Sequence, residues 1–402
     1  MMQTDGMGPN ISTDEDHFFQ SDLSLKQQLA RKEKQIQFGS KGFPLQLPSK
    51  VLAMELVQCL DQDTSNQDIK EGEREWIPKG VCAYVGESGH VARKINLQSG
   101  AMIRVFKGHS GPVTSLAILY DTKGKDSILF TGSWDKTIRK WNTENANQLF
   151  CISFHNDFVK SVCLFGDVLY SASTDKTICQ WDGNTGKHVK TMRGHTRGVE
   201  TILVTQDGST LFSASSDGSI RKWDTATGKE VAVLNGHDTS VYGLALSEDE
   251  SELWSASADK TARRWDLETN ACTATFEHPD FVRSVLIVED HGIVITGCRD
   301  ENMRMWNTAT DKCVKTIEAH TGEVSSIKYT GKHTILSGSL DNTIRFWSIT
   351  QELSQELLTK HSNKTVKTAS LTQASKERVE STALISEQEE RELAELMENE
   401  EK

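Results

Sequence analysis

The chain of 402 residues has no long apolar run, because no stretch approaches the roughly 18 consecutive apolar residues that a membrane-spanning helix needs. Its first residues, MMQTDGMGPNISTDED, contain neither the basic segment nor the apolar segment of a secretory signal peptide. We therefore expect no membrane insertion and a cytoplasmic or nuclear localisation.

Motifs for metals, disulfides and phosphate groups are also missing. The eight cysteines form no CxxC pair and have no regularly spaced histidine partners, so neither a zinc site nor a disulfide framework is indicated. None of the glycine-rich stretches has the pattern GxGxxG or GxxxxGK[ST]. We expect small, buried, reduced cysteines and neither a metal ion nor an organic cofactor.

An excess of positive charge is absent as well, since the formal net charge is -12. Proteins that hold nucleic acids by neutralising phosphates need a basic surface, so we expect no direct contact with nucleic acid. Hydrophobic residues make up 36% of the chain, which is enough for a sizeable core if small structural units share it.

The strongest positive feature is a sequence motif, here called the phrase, that is repeated at a nearly fixed spacing. Residues 213–224 read SASSDGSIRKWD, and a tryptophan stands at the same point of six such phrases, each time six residues after an aspartate. Successive tryptophans are 40 to 42 residues apart. A period in the low forties that closes on Trp-Asp or a similar pair is typical of a four-stranded propeller blade. The chain resembles the WD40 repeat family over residues 80–349.

A degenerate copy precedes these six. The segment HVARKINLQSGAMIRVFKGH, residues 90–109, aligns without gaps on the copy around Trp223, with Ile95 and Asn96 in place of Trp-Asp and Gly89 in place of the aspartate. We predict its first two strands at 51–57 and 80–86, separated by a long inserted loop at 61–76. Seven blades close a ring without an open sheet edge. The predicted fold is therefore all-β, a seven-bladed β-propeller over residues 39–349.

Closing the ring requires a strand from outside the repeats. In the family that the chain resembles, the outer strand of each blade comes from the next repeat, which leaves the last blade one strand short. We predict that residues 36–47 supply the missing strand. The alternative donor is the segment 352–359.

Both termini differ from the ring in composition. We expect residues 1–20 to be disordered and residues 21–38 to form a short amphipathic helix that either packs on the ring or docks a partner. Residues 350–380 are a linker rich in Ser, Thr and Lys, and residues 381–402 are predicted to form an acidic helical tail. That tail is either solvated or a short binding motif for a basic partner.

The family resemblance implies one hydrogen-bonded set in each regular blade. A set consists of a histidine before the inner strand, a serine on the second strand, an aspartate in the following turn and the tryptophan on the third strand. By position the sets are His109, Ser133, Asp135 and Trp141; His155, Ser173, Asp175 and Trp181; His195, Ser215, Asp217 and Trp223; His237, Ser257, Asp259 and Trp265; His278, Asp300 and Trp306; and His320, Ser339, Asp341 and Trp347. Cys298 stands where the fifth set should have its serine, and because a thiol is a weak donor we expect that set to be looser.

Serine, histidine and aspartate are also the components of a hydrolase triad. Here the combination returns in blade after blade, whereas a catalytic site needs only one copy. We interpret the sets as scaffold chemistry and predict that the protein is not an enzyme.

Recognition residues are expected where the repeats differ. The resemblance implies that two positions in each blade face the narrow top surface of the ring: the residue that opens the inner strand and the residue before the turn aspartate. Two blades also share a variant phrase, HNDFVKSV and HPDFVRSV, which adds cations near the top opening. The predicted partner-binding residues are Trp134, Phe158, Lys160, Tyr242, Phe281, Arg283 and Arg299. Aromatic residues and arginine are enriched in binding hot spots, and their combination with cations suits an acidic or phosphorylated peptide. The alternative is that the phenylalanines only plug the top of the ring.

These features predict a non-catalytic scaffold that mediates protein–protein interactions through the top face, as a subunit or adaptor of a larger complex. The alternative is a substrate-recognition subunit of a ubiquitin ligase, although the N-terminus has no F-box-like segment and no blade ends in WDxR. The oligomeric state is left open.

Overall fold

The computed structural model describes residues 33, 34, 36, 41–58, 80–120, 126–331 and 333–352. The chain divides into two units, Met1–Ile349 and Thr350–Lys402. The predicted disordered segment 1–20, the inserted loop 61–76 and the chain after residue 352 lie outside the described residues. The same holds for most of the predicted helix 21–38, of which residues 33, 34 and 36 are helical.

The described part of the first unit forms seven four-stranded antiparallel sheets, which confirms the predicted seven-bladed propeller. The first strands of neighbouring sheets contact one another, so they line the centre of the ring. These inner strands are β2 (Val51–Gln58), β6 (Val113–Tyr120), β10 (Val159–Phe165), β14 (Val199–Val204), β18 (Val241–Leu246), β22 (Val282–Val288) and β26 (Val324–Tyr329). The second strands are β3 (Val81–Glu87), β7 (Asp126–Ser133), β11 (Val168–Ser173), β15 (Thr210–Ser215), β19 (Glu252–Ser257), β23 (Ile293–Cys298) and β27 (Thr334–Ser339).

The two remaining strands complete each blade towards the outside. The third strands, which carry the repeated tryptophans, are β4 (Val91–Asn96), β8 (Thr137–Asn142), β12 (Thr177–Asp182), β16 (Ile220–Asp224), β20 (Thr261–Asp266), β24 (Asn302–Asn307) and β28 (Thr343–Ser348). The outer strands are β5 (Met102–Lys107), β9 (Gln148–Ser153), β13 (His188–Arg193), β17 (Glu230–Leu234), β21 (Ala271–Glu277), β25 (Lys312–Glu318) and β1 (Leu45–Gln46). A 3-10 turn, Glu289–His291, precedes β23, and a short helix, α1 (Ile349–Glu352), follows β28. Blades are numbered 1 to 7 from β2 to β26.

The apolar core lies between blades rather than inside any one of them. Between blades 1 and 2, for example, Tyr84 and Phe106 pack with Leu116, Leu129 and Trp141. Each sheet presents both faces to its neighbours, and for this reason strands such as β23 and β27 are buried along their whole length. The stability of a blade therefore depends on the blades beside it.

Blade 1 has the propeller geometry without the repeated polar set. Val85 and Ile95 are buried where the other blades have the hydroxyl and the tryptophan. Its buried polar group is Glu87, whose carboxylate pairs with Nε of Arg93 at 2.5 Å and accepts a hydrogen bond from Ser49 at 2.5 Å. A buried carboxylate needs such donors, so the ion pair replaces the polar set in stabilising this blade.

The cysteines only partly follow the expectation of small, buried, reduced residues. Cys179 and Cys298 are buried free thiols, but the free thiols of Cys151 and Cys272 are exposed. Cys82 is disulfide-bonded, which the spacing of the cysteines did not indicate. Cys151 and Cys272 are exposed because they lie on outer strands, where the edge of the sheet meets solvent.

The ring is closed by β1, which pairs antiparallel with β28 through Leu45 opposite Ile344 and Gln46 opposite Thr343. The predicted donor segment, 36–47, is therefore confirmed, because β1 is the fourth strand of blade 7. Most of the alternative donor, 352–359, lies outside the described residues. The chain ahead of β1 is also attached, because Phe346 donates its backbone N–H to the carbonyl oxygen of Gly42 at 2.7 Å. Gly42 has a φ of +67°, and a Cβ there would lie 2.8 Å from Cζ2 of Trp347.

We expect Gly42→Ala to lower the free energy of unfolding by about 2 to 5 kcal/mol, through the left-handed backbone and the clash with Trp347 together. The matched control is Gly331→Ala, because Gly331 has a φ of +78° and nothing within 4 Å of an added Cβ. The control should lose only the backbone contribution of about 1 to 2 kcal/mol. Urea denaturation followed by tryptophan fluorescence measures the free energy of unfolding of both variants. Equal losses would show that the close packing of Gly42 against Trp347 does not limit the stability of the ring.

Candidate functional site

Each regular blade contains a chain of hydrogen bonds that joins four side chains. In blade 2, Nδ1 of His109 lies 2.7 Å from Asp135, and Nε2 lies 2.7 Å from the hydroxyl of Thr131. The indole N–H of Trp141 donates to the same hydroxyl at 2.8 Å. An indole N–H can only donate, so the hydroxyl is left with its own proton to give to Nε2, and Nδ1 carries the hydrogen that Asp135 accepts. This series of hydrogen bonds gives each of its buried polar atoms a partner and fixes the position of the turn.

The hydroxyl in this chain is not the one that the sequence interpretation assigned. The predicted serines Ser133, Ser173, Ser215, Ser257 and Ser339 stand two residues too late. The hydroxyls that join histidine to tryptophan belong to Thr131, Ser171, Ser213, Ser255, Thr296 and Ser337. The predicted serines instead accept the backbone N–H of the turn aspartate, as Ser133 does from Asp135 at 3.1 Å. Residues two apart on a strand point to the same face, so the sequence could not separate the two positions.

The turn aspartates are strong acceptors. Burial by itself would raise the pKa of Asp217, but hydrogen bonds from His195 and Ser219 outweigh it and hold the pKa well below its usual value. The same balance lowers the pKa of Asp135, Asp175, Asp259 and Asp341. These carboxylates are committed to the scaffold and are not available as catalytic bases.

In blade 6 this series of hydrogen bonds is interrupted, but at a different contact from the one expected. Thr296 supplies the hydroxyl, so the thiol of Cys298 does not weaken the contact with His278 and Trp306. Instead His278 bonds the backbone oxygen of Phe276 at 3.0 Å, and Asp300 pairs with Arg304. The missing contact is therefore the one between histidine and aspartate.

Blade 6 also differs from the regular blades in the residue before the histidine. In blades 2, 4 and 5 this residue is a glycine that follows the outer strand of the preceding blade, and a Cβ at Gly108, Gly194 or Gly236 would lie 2.7 to 2.8 Å from Nη1 of an arginine on the third strand. Glu277 stands at the corresponding position before His278. Arg304 pairs with Asp300, and His278 bonds the backbone oxygen of Phe276 instead of the aspartate.

We predict a distinct pH dependence from His278, whose pKa burial lowers from 6.5 to about 4. In the unfolded chain His278 binds a proton at higher pH than it does in the folded protein. The neutral imidazole therefore contributes fully to the stability of the fold above pH 6.5, and this contribution is lost as the pH falls to about 4. Between about pH 7 and pH 4 the parent should lose up to about 3 kcal/mol more unfolding free energy than His278→Gln. Denaturation curves at several pH values test this, and parallel losses in the two proteins would contradict it.

The predicted top-face positions are brought together by the backbone. In each blade the N–H before the turn aspartate donates to the carbonyl of the residue that opens the inner strand, as Trp134 does to Pro112 at 3.0 Å and Arg299 to Phe281 at 2.8 Å. The two rows of variable residues therefore lie side by side at one end of the ring. The side chains that differ between blades share a single surface.

One exposed aromatic cluster lies at blades 2 and 3. The rings of Trp134 and Phe158 are stacked, with centroids 5.4 Å apart and planes 20° apart, although the two residues remain 40% and 38% exposed. Nζ of Lys160 lies 5.4 Å from the Trp134 ring. It also pairs with Glu200 of blade 4 at 3.3 Å, and Ser216 donates to the same carboxylate at 2.7 Å.

A second cluster lies at blades 5 to 7. The guanidinium of Arg283 lies 4.0 Å from the Tyr242 ring centroid and pairs with Glu323 at 2.5 Å. The guanidinium of Arg299 lies 4.9 Å from the Phe281 ring, and its side chain is 53% exposed. Its nearest carboxylate is Asp280, at 3.8 Å.

These contacts change the interpretation of the predicted cations. Lys160 and Arg283 each pair with a carboxylate of the next blade, so they connect neighbouring inner strands, as Lys328 does with Glu55 at 2.5 Å. The sequence reasoning missed Glu200 as a partner because the pairing depends on blade contacts 40 residues apart. Of the three predicted cations, Arg299 has the most exposed side chain.

The centre of the ring holds a cavity of about 540 Å³ lined by the inner strands. Among the described residues, no three His, Cys, Asp or Glu side chains are grouped so that they could hold a metal ion. In the same part of the chain, none of the helices is both long and apolar enough to cross a membrane.

The sheet order and the repeated hydrogen-bond chains define a β-propeller of the WD-repeat class. A family profile described as "WD domain, G-beta repeat" matches six segments, residues 100–142, 146–182, 186–224, 228–266, 270–307 and 311–348. These segments make up more than half of the chain, which therefore belongs to the WD40 family. The first three strands of the degenerate blade 1 lie outside the matched segments.

Curated relatives share parts of this ring. An uncharacterised WD repeat-containing protein of Schizosaccharomyces pombe is 32% identical over 191 residues, which cover 46% of this chain and 47% of the relative. The COMPASS component SWD3 of Saccharomyces cerevisiae is 32% identical over 120 residues, 29% of this chain and 36% of the relative. The chain thus spans about half or less of the length of these relatives. The WD40 fold is generally a non-catalytic scaffold, and proteins of this family generally bind other proteins.

Proposed function

We propose that this propeller is a non-catalytic scaffold that binds a segment of another protein on its top face, as a subunit or adaptor of a larger complex. The observation that carries the proposal is the stacked, exposed pair of Trp134 and Phe158. Large aromatic side chains that stay exposed on a rigid surface are typical of interface hot spots. The similarity to a component of COMPASS fits a role within an assembly, in the cytoplasm or the nucleus.

The finer part of the proposal concerns the charge of the partner. Because Lys160 and Arg283 are paired within the ring, the cation best placed to meet an acidic or phosphorylated group is Arg299. Its guanidinium could form paired hydrogen bonds with a carboxylate or phosphate. Phosphatase treatment of the partner fraction distinguishes these two groups, since only a phosphorylated partner would be lost.

The test is affinity purification with mass spectrometry, comparing the parent with the triple variant Trp134→Ala, Phe281→Ala, Arg299→Ala. We expect the variant to lose top-face partners by at least about tenfold, because it removes two aromatic anchors and the exposed guanidinium. The matched control is Leu149→Ala, Val189→Ala, Val231→Ala, which changes three exposed apolar residues on the outer strands.

The control should retain the partners of the parent and keep its unfolding midpoint, since exposed substitutions of this kind have small effects on stability. A triple variant that retains every partner would refute the proposal. Co-purification of a cullin adaptor would instead favour the ubiquitin-ligase alternative.

A further inference from the structure

The top face carries two nearly equivalent groups of residues, one in blade 3 and one in blade 6. In each, an aspartate side chain accepts the backbone N–H of the following phenylalanine at 2.9 Å, Asp157 for Phe158 and Asp280 for Phe281. In each, the cation two residues later, Lys160 or Arg283, pairs with a carboxylate of the next blade. The two groups therefore offer the same backbone and the same phenylalanine position.

The preceding blades also match in backbone. Trp134 of blade 2 donates its N–H to Pro112 at 3.0 Å, and Ala258 of blade 5 donates its N–H to Ser240 at 2.9 Å. Residue 258 thus stands beside Phe281 as residue 134 stands beside Phe158. The side chains differ: where an indole stacks on Phe158, Ala258 places only a methyl group beside Phe281.

The other neighbour of Phe281 does not replace the indole. Arg299 corresponds to Thr174 of blade 3, because both donate their N–H to the carbonyl of the phenylalanine, at 2.8 and 2.9 Å. The guanidinium of Arg299 lies 4.9 Å from the Phe281 ring centroid. Among the described residues, no aromatic ring contacts Phe281, which is half-buried.

We propose that the surface formed by Ala258, Phe281 and Arg299 receives an aromatic side chain of a partner protein, in the place that Trp134 occupies at blades 2 and 3. This inference rests on the proposed function and specifies the chemistry of its partner. A flat ring suits this place better than an aliphatic chain, because it can stack on the ring of Phe281. Blades 2 and 3 of the propeller supply the precedent, since Trp134 and Phe158 stack in the equivalent surroundings.

The experiment selects a random dodecapeptide phage library on the immobilised full-length chain and measures the enriched peptides against four variants. Ala258→Trp places the indole of blade 2 in blade 5 and should fill the site, whereas Ala258→Ser is the matched control that leaves it open. Phe281→Leu keeps apolar bulk but removes the ring face. The triple variant of the preceding section reports on the top face as a whole.

We expect the enriched peptides to carry Trp, Tyr or Phe and to bind Ala258→Trp and Phe281→Leu at least about tenfold more weakly than the parent. Binding to Ala258→Ser should stay within about twofold. Replacing the aromatic residue of a selected peptide by alanine should lower its affinity for the parent about as much as Ala258→Trp does. If Ala258→Trp changes the unfolding midpoint, the loss of binding to Phe281→Leu is the result that tests the site.

Peptides without an aromatic residue, or equal binding to Ala258→Trp and the parent, would overturn the inference. If those peptides still lose binding to the triple variant, the top face binds partners but this aromatic site does not exist. Peptides indifferent to the triple variant, or no enrichment at all, would count against the proposed function as well.

Discussion

The propeller depends on one short strand pairing. Six of the blades receive their outer strand from the next segment of the chain, but the seventh has no repeat after it and must recruit residues from before the first. The pairing between Leu45–Gln46 and β28 involves only two residues, and it is reinforced by the backbone bond from Phe346 to Gly42. Without it the third strand of blade 7 would be an unpaired edge. Since the core lies between blades, opening one junction would expose apolar faces on both sides.

The repeated polar chains show how a scaffold can accept variation without losing its geometry. In the regular blades the aspartate, histidine, hydroxyl and indole satisfy one another in a fixed order, so each polar atom of this set has a partner. Blade 1 replaces the set by apolar residues and a buried pair of Glu87 and Arg93. Blade 6 keeps all four residue types and still loses one contact, since Asp300 pairs with Arg304 and His278 bonds the backbone oxygen of Phe276.

Function in such a fold depends on the residues that the scaffold leaves free. The top face combines a stacked aromatic pair at blades 2 and 3 with a cation–aromatic group at blades 5 to 7. Most of its charges are balanced across blade junctions, which leaves aromatic surface and Arg299 as its distinguishing chemistry. A partner that carries both an aromatic and an acidic residue would fit this combination.

The tryptophan spacing predicts six of the blades, and the alignment of residues 90–109 on a regular copy adds the seventh. These features follow from local patterns, since each repeat encodes its own strands and turns. The strand that closes the ring is predicted by the resemblance to the WD40 family and not by the spacing. The choice between Thr131 and Ser133, the pairing of Lys160 with Glu200 and the small residue beside Phe281 could not be predicted in that way. The first depends on two strand positions that face the same direction. The others depend on contacts between blades that lie about 40 residues apart in the chain, and these are determined only when the ring is assembled.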